Sequence, residues 1–163
     1  MQAMQIAVES LNMSSMVLKT YLDDLSEEEF LLPAGQSCHC AAWQLGHLVS
    51  SANHMLEGLR PGSGIELPEG FSKAYSKAAL ETGVTPAYLA KADYFALFDR
   101  VNEAAKKLFL SMTEADLDQP GPPGFPPMFS TVGSIVVLIA SHPLMHAGQF
   151  VPLRRQLGKP IRI

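Results

Sequence analysis

Apolar residues recur at steps of three and four along four long stretches of the chain, the spacing of an amphipathic α-helix. These stretches cover residues 2–25, 38–59, 86–112 and 131–157. No stretch shows the strict alternation of apolar and polar residues that predicts a half-buried strand. The pattern therefore predicts an all-α protein, and four long amphipathic helices in one chain most simply form a four-helix bundle.

Polar and conformationally special residues mark the ends of these helices. The predicted signals are Ser37 as N-cap of the second helix, Thr85-Pro86 at the start of the third, Ser130 or Thr131 as N-cap of the fourth, and Gly158 with Pro160 after its end. Pro143 and Pro152 lie inside the fourth helix. Each removes one backbone hydrogen bond and should bend the helix.

The connections between the helices predict how the bundle is wound. The short loop after the first helix suggests that helices 1 and 2 are antiparallel neighbours. Residues 60–85 are long enough to cross the whole bundle, so helices 2 and 3 can run parallel. A short helix is expected within 69–81. The stretch Gln119–Phe129 contains five prolines and two glycines and predicts a stiff loop. The 163 residues are expected to form one domain, 1–163.

Composition excludes several classes of protein. The chain is 47% hydrophobic and 17% charged, with a net charge of −4, which is typical of a globular protein and does not favour binding to nucleic acid. No apolar run approaches the roughly 20 residues of a membrane span, and the N-terminal residues do not resemble a signal peptide. Cys38 and Cys40 are too close to bridge, so we expect reduced thiols in a cytoplasmic protein. We interpret Cys38-His39-Cys40 as a helix start, because ligands this adjacent rarely close on one ion.

His142 and His146 are the chemically most informative pair. They lie four residues apart on the apolar stripe of the fourth helix, so both imidazoles should point into the core one turn apart. Two core-facing histidines at this spacing commonly bind one metal. The alternative is that they form hydrogen bonds with backbone carbonyls or with each other, since buried imidazoles need partners.

His47 is the candidate for a third ligand, because metal sites in bundles draw on facing helices and His47 borders the apolar stripe of the second helix. Three histidines leave a coordination position open to water or substrate, as in catalytic sites. Imidazole ligands suit Zn, Ni, Fe and Cu, so the sequence predicts a divalent metal without naming it. His54 either lines the same channel or is a surface residue.

Other residues are candidates for substrate binding. Trp43 lies one turn before His47, and Gln149 one turn after His146, where it is either a neighbour of the metal site or polar surface. Arg154 and Arg155 could bind a substrate carboxylate, or could instead favour the helix dipole. The Pro-rich loop and the 60–85 crossover are expected to wall a pocket with Trp43, His54, Phe125 or Phe129. The sequence assigns no catalytic residue.

Three motifs resemble the DinB/YfiT-like superfamily. They are Trp43-x-x-x-His47-Leu48, His142-x-x-x-His146-x-Gly148-Gln149 and Arg154-Arg155-x-Leu157-Gly158-Lys159-Pro160. The resemblance implies an up-down-down-up four-helix bundle with a divalent metal held by His47, His142 and His146. It also implies a homodimer. Members of known activity are mostly thiol-dependent, such as bacillithiol S-transferases and mycothiol-dependent maleylpyruvate isomerases, while many have no known activity.

These observations together predict a metal-dependent enzyme that acts on a small molecule, and the resemblance implies a low-molecular-weight thiol as its cofactor. The alternative is a non-catalytic metal- or ligand-binding, stress-related dimer. A thermolysin-type hydrolase is disfavoured because no carboxylate lies on the histidine stripes. The third helix carries aromatic residues on several sides (Tyr94, Phe95, Phe98 and Phe109), which predicts an interface between two copies.

Overall fold

The computed structural model describes residues 2–36, 38–81 and 86–162, and apart from two isolated β-bridges every regular element within them is a helix. In chain order the helices are α1 (Ala3–Leu22), α2 (Glu27–Phe30), α3 (Ala41–Leu59), α4 (Phe71–Ala74), α5 (Lys77–Glu81), α6 (Lys91–Leu110), α7 (Glu114–Leu117), α8 (Val132–Gln149) and α9 (Val151–Gln156). The long helices α1, α3, α6 and α8 are the four that the apolar periodicity predicts, and they confirm the four-helix bundle.

Contacts at the helix ends show the directions of the helices. Arg60, which follows α3, donates to the Ser111 hydroxyl after α6 at 2.7 Å, so the C-terminal ends of α3 and α6 meet. Arg154 in α9 donates to the carbonyl of Tyr21 near the end of α1 at 2.7 Å. Hence α1 runs parallel to α8–α9, and α3 runs parallel to α6, with the 60–85 segment as the crossover.

The two parallel pairs point in opposite directions. Lys91, the first residue of α6, donates from Nζ to the carbonyl of Asp23 just after α1 at 2.8 Å, so α6 is antiparallel to α1. This arrangement is the predicted up-down-down-up topology.

The packing of the four long helices differs from the prediction that the first two of them are neighbours. Helix α1 packs against α8 and α6, and α3 packs against the same two helices, so α1 and α3 lie diagonally opposite each other. The expectation that helices 1 and 2 are neighbours is therefore wrong. The connection between them contains α2 and is long enough to cross the end of the bundle.

Helix α6 begins later than Thr85-Pro86 predicts. Its first residue is Lys91, with Ala90 at the N-cap, and Thr85 lies outside the described residues. The Lys91 amide donates to the Glu27 carboxylate at 3.2 Å. A carboxylate at a helix N-terminus satisfies an otherwise unpaired N–H and favours the dipole. The start of α6 is thus capped by a residue distant in sequence.

The predicted start of the fourth helix is confirmed, whereas its continuity is not. The Thr131 hydroxyl accepts from the Ser134 amide at 3.2 Å in a capping box. Helix α8 continues through Pro143 and ends at Gln149, and the chain then turns at Phe150 before α9. Gly158 follows α9 at φ 67°, as an αL cap requires.

The start of α3 lies at Ala41, with Cys40 at the N-cap position, and the predicted cap Ser37 lies outside the described residues. A bridge between Pro33 and Cys40 closes the loop in front of this helix. A second bridge, between Pro120 and Thr131, closes the Pro-rich loop in front of α8. Both helices that carry the candidate ligands therefore start from a tied loop.

The aromatic residues of α6 belong to the protomer's own core. Tyr94, Phe98 and Phe109 are buried, and the half-buried Phe95 packs its ring 6.3 Å from that of Phe30. They do not form an outward aromatic surface, so the argument that placed a dimer interface on this helix is wrong.

The segment Val132–Gln156 is long and apolar enough to cross a membrane by length and composition alone. A helix in the core of a bundle passes the same test, and this segment supplies buried residues such as Ile135, Ile139 and Phe150. Its outward face is also apolar at Val137.

Candidate metal centre

Three histidines from two antiparallel helices converge in the bundle. One ring nitrogen each of His47, His142 and His146 can be chosen so that the three atoms lie within 4.8 Å of one another. The Nε2 atoms of His142 and His146 are 3.2 Å apart. The ring centroid of His47 lies 5.4 Å from that of His142 and 5.6 Å from that of His146. Among the described residues, this is the group of His, Cys, Asp and Glu side chains close enough to share an ion.

Helix geometry explains the convergence. His142 and His146 lie one turn apart on α8, so their side chains share one face. Helix α8 packs against α3, and His47 lies on α3 next to that helix's apolar stripe.

The spacing of the nitrogens fits a divalent metal. Two ligands of a tetrahedral zinc ion with bonds of 2.0–2.1 Å are separated by about 3.3 Å. The 3.2 Å between the His142 and His146 nitrogens matches this separation. The three ligand atoms lie within 4.8 Å of one another, so the longest separation would have to shorten by up to about 1.5 Å. The donor set of three imidazoles is one that zinc and the later transition metals accept.

His146 is held in the neutral form. Its residue is 8% exposed, and burial, followed by the neighbouring His142 and His47, lowers the pKa of His146 to about 3. Its Nδ1 lies 2.7 Å from Oε1 of Gln44, a buried residue of α3. A metal binds the lone pair of a neutral imidazole, so this ring is in the form that a metal requires.

His47 is oriented by contacts on two sides. Its Nδ1 donates to the carbonyl of Tyr75 at 3.3 Å, and its ring stacks on that of Trp43 with centroids 5.2 Å apart and planes 7° apart. Tyr75 can lie this close to α3 because residue 46 is glycine. A Cβ atom at Gly46 would be 2.4 Å from the Tyr75 ring.

A pocket opens beside His47. It has a volume of about 340 Å³ and is lined by His47, Ser50, Ser51, His54, Ser72, Tyr75 and Ser76. The exposed His54 stacks on Phe125 of the Pro-rich loop, with ring centroids 5.7 Å apart. Ser72, Tyr75 and Ser76 of the crossover thus form one wall of the pocket, and Phe125 lies beside His54. Among the described residues, the lining contains hydroxyls and imidazoles but no carboxylate or ammonium group.

The remaining predicted contacts fall in different places. Trp43 is buried behind His47, Phe129 is partly buried against the core, and Gln149 is exposed at the end of α8. Cys38 and Cys40 are free thiols just before α3.

Arg154 is buried and is not placed to reach a substrate, which corrects the prediction for this residue. It is fully buried, and its guanidinium donates to both oxygens of the Asp24 carboxylate at 2.7 Å and 3.0 Å. A further bond from Nε goes to the carbonyl of Pro160. The N–H groups of Arg154 therefore stabilise the fold, because a buried guanidinium must be paired with acceptors and a counter-charge.

Gln44 and Tyr75 are the site residues that sequence reasoning missed. A glutamine in the buried part of a helix, one turn before a candidate ligand, is a usable signal for Gln44, since buried amides need partners. Tyr75 acts through its backbone carbonyl, for which the sequence offers no signal.

Comparison with known proteins identifies the family of the chain and a shared fold. The family model of the DinB superfamily matches residues 11–150. A conserved protein from Enterococcus faecalis has a similar solved structure, with a TM-score of 0.75 and 16% identity over 98% of this chain and 99% of that one. YfiT from Bacillus subtilis, described as a probable metal-dependent hydrolase with an unusual four-helix bundle topology, is similar with a TM-score of 0.66 and 14% identity, over 96% of this chain and 89% of YfiT. No curated protein gives a significant sequence match. Since the family match spans most of its length, the chain belongs to the DinB superfamily.

Proposed function

We propose that this protein is a metal-dependent enzyme in which His47, His142 and His146 hold one divalent metal next to a small-molecule pocket. The convergence of three imidazoles, one of which also lines that pocket, is the observation that carries the proposal. His47 belongs to both, so a molecule in the pocket would lie beside the metal. Three protein ligands leave a coordination position for it.

The side chains around the pocket suit a polar small molecule. When bound, the metal would act as a Lewis acid and lower the pKa of a coordinated thiol or water. Ser50, Ser51 and Ser72 offer hydroxyls that can donate or accept hydrogen bonds. The lining also contains His54, which is not one of the three candidate ligands, and an imidazole at this position can act as a general acid or base toward a bound molecule.

A small thiol is the nucleophile that the pocket supports best. Hydrolases of the thermolysin type need a carboxylate base beside the metal ligands, and no such group is among the described residues of the lining. A thiol has an ordinary pKa of about 8.5 and needs little help to ionise. We therefore propose a thiol-dependent S-transferase or isomerase reaction. Hydrolysis, the activity named for YfiT, is the competing chemistry.

The rival from another class is a non-catalytic metal- or ligand-binding protein of a stress response. A sealed metal site would favour it, whereas the opening beside His47 favours access by a substrate.

A metal analysis, an activity screen and two variants separate these possibilities. Metal analysis of the purified protein should give about one divalent ion per chain, and zinc-, nickel- and iron-loaded protein should then be screened for thiol transfer, isomerisation and hydrolysis. His146→Ala should lose the metal and the activity but keep its helical circular dichroism. His54→Ala should keep the metal and lose activity. Loss of metal from His146→Ala with full activity would contradict the catalytic proposal and leave the binding protein.

A further inference from the structure

Gln44 joins the first turn of α3 to the candidate metal centre. The residue is 1% exposed. Its Nε2 donates to the carbonyl of His39 at 2.8 Å, and its Oε1 lies 2.7 Å from Nδ1 of His146. The two ends of the Gln44 amide group thus make two different contacts, one with the carbonyl of His39 and one with the ring of His146.

The contact with His39 fixes the direction of the amide. A carbonyl oxygen only accepts, so the Gln44 atom that faces it must be the NH₂ group. The other end of the amide is then the oxygen, which also only accepts. The nitrogen of His146 that faces Oε1 must therefore carry a hydrogen.

The tautomer of His146 follows from this. A neutral imidazole has one protonated nitrogen, so Nδ1–H leaves the lone pair on Nε2. That Nε2 is the atom 3.2 Å from Nε2 of His142. The opposite tautomer would set two lone pairs against each other at 2.7 Å, between His146 Nδ1 and Gln44 Oε1.

We propose that Gln44 is a positioning residue that holds His146 as the Nδ1–H tautomer, with its Nε2 lone pair directed at the metal. The proposal rests on the metal site of the proposed function but not on any catalytic activity. Partners of this kind fix the ring and the tautomer of a metal-binding histidine, and losing one typically costs about 10- to 100-fold in metal affinity.

The plain alternative is that Gln44 only ties the turn before α3 to the helix through His39. Two variants separate the roles. Gln44→Leu loses both contacts. Gln44→Glu loses the donor to His39 but keeps an acceptor for His146, and a carboxylate is a common partner of metal-binding histidines. Gln156→Leu, at an exposed position of α9, is the matched control.

Zinc affinity, measured by competition with a chelator, gives the first test. Gln44→Leu should bind zinc about 10- to 100-fold more weakly than the unmodified protein. Gln44→Glu should bind as tightly or more tightly, and Gln156→Leu should be unchanged. Equal losses in Gln44→Leu and Gln44→Glu would overturn the proposal and leave the structural tie.

Nitrogen-15 NMR of the imidazoles gives a second test that needs no metal. In the metal-free protein at neutral pH, His146 should show a protonated Nδ1 and an unprotonated Nε2, and Gln44→Leu should show a mixture of tautomers. A protonated Nε2 in the unmodified protein would overturn the proposal. Because this readout is independent of metal loading and turnover, it would not be affected if the proposed enzyme activity failed.

Discussion

Two of the three histidines are oriented by oxygen atoms that accept a hydrogen bond from Nδ1–H. The acceptor for His146 is the Gln44 side chain, and that for His47 is the backbone carbonyl of Tyr75. In both rings the lone pair is left on Nε2. The direction of the donor atoms is thus set by neighbours that would not touch the metal, which is how metal sites are commonly preorganised.

Gly46 is the residue through which packing controls this orientation. In Gly46→Ala the new Cβ would meet the Tyr75 ring at 2.4 Å, and the ring would have to move. The Tyr75 carbonyl would move with it and release His47. We expect a loss of about 1–3 kcal/mol in the free energy of unfolding, as for overpacked cores, and weaker zinc binding. Thermal denaturation and chelator competition measure the two effects.

Gly148→Ala is the control for this prediction. It lies on α8, and a Cβ there would meet nothing within 4 Å. Alanine is the better helix former by about 1 kcal/mol, so Gly148→Ala should be neutral or slightly stabilising and keep its zinc affinity. If both variants bind zinc normally, Tyr75 does not orient His47.

The residues of the site differ in how far the sequence reveals them. The i, i+4 spacing on an apolar stripe is enough to find His142 and His146. His47 needs the facing helix, and the family resemblance supplies its identity. Arg154 was misread because a basic residue near a helix end looks the same in sequence whether it faces solvent or, as here, Asp24. Side-chain direction depends on tertiary packing, which spacing alone does not encode.

At the scale of elements, an ion pair between Asp24 and the buried Arg154 joins the segment after α1 to α9. Asp24 accepts from Arg154 and also from Arg162, at 2.9 Å, and its side chain is 24% exposed. Asp24→Asn would leave the Arg154 guanidinium buried without its counter-charge. Removing one partner of a buried pair costs about 3–5 kcal/mol, and partial exposure of Asp24 places the expected loss near the lower end. Asp118→Asn, exposed after α7, should have no such effect.

This ion pair also predicts a pH dependence. The hydrogen bond with Arg154 holds the pKa of Asp24 below its ordinary value of 3.8, although partial burial opposes it. A carboxylate with a lowered folded-state pKa contributes stability above its unfolded pKa and loses it as pH falls through the folded pKa. The stability difference between the unmodified protein and Asp24→Asn should therefore be constant between about pH 5 and 7 and shrink below about pH 4. Urea denaturation across this range would show it. A difference that grows on acidification would contradict the assignment.

The helices themselves are largely predictable, whereas their ends are not. Apolar periodicity locates α1, α3, α6 and α8, because each must bury one face. The start of α6 depends on Glu27, 64 residues earlier in the chain. The break at Phe150 precedes Pro152, which lies near the start of α9 and has no N–H to continue the ladder. Apolar periodicity does not predict helix ends that depend on a residue distant in the chain, such as Glu27, or on a nearby proline, such as Pro152.

At the scale of the whole molecule, large apolar residues are exposed on both α1 and α8. These helices pack side by side. Their exposed large apolar residues are Ile6, Met13 and Met16 on α1 and Val137, Leu144 and Met145 on α8. An exposed apolar patch of this kind usually marks an interface.

We propose that this surface is where two copies of the chain pair, in place of the α6 surface that the sequence suggested. A twofold interface uses the same patch on both copies, so one charged substitution would act twice. Met145→Glu, at a residue that is 60% exposed, should convert a dimer into a folded monomer because two carboxylates would enter an apolar interface. Light scattering at micromolar concentration measures the oligomeric state, with circular dichroism as the check on folding.

Met128→Glu, at a residue 76% exposed on the Pro-rich loop, is the matched control and should stay dimeric. An unmodified protein that is monomeric would show the homodimer to be wrong, and a dimer that survives Met145→Glu would place the interface on another face.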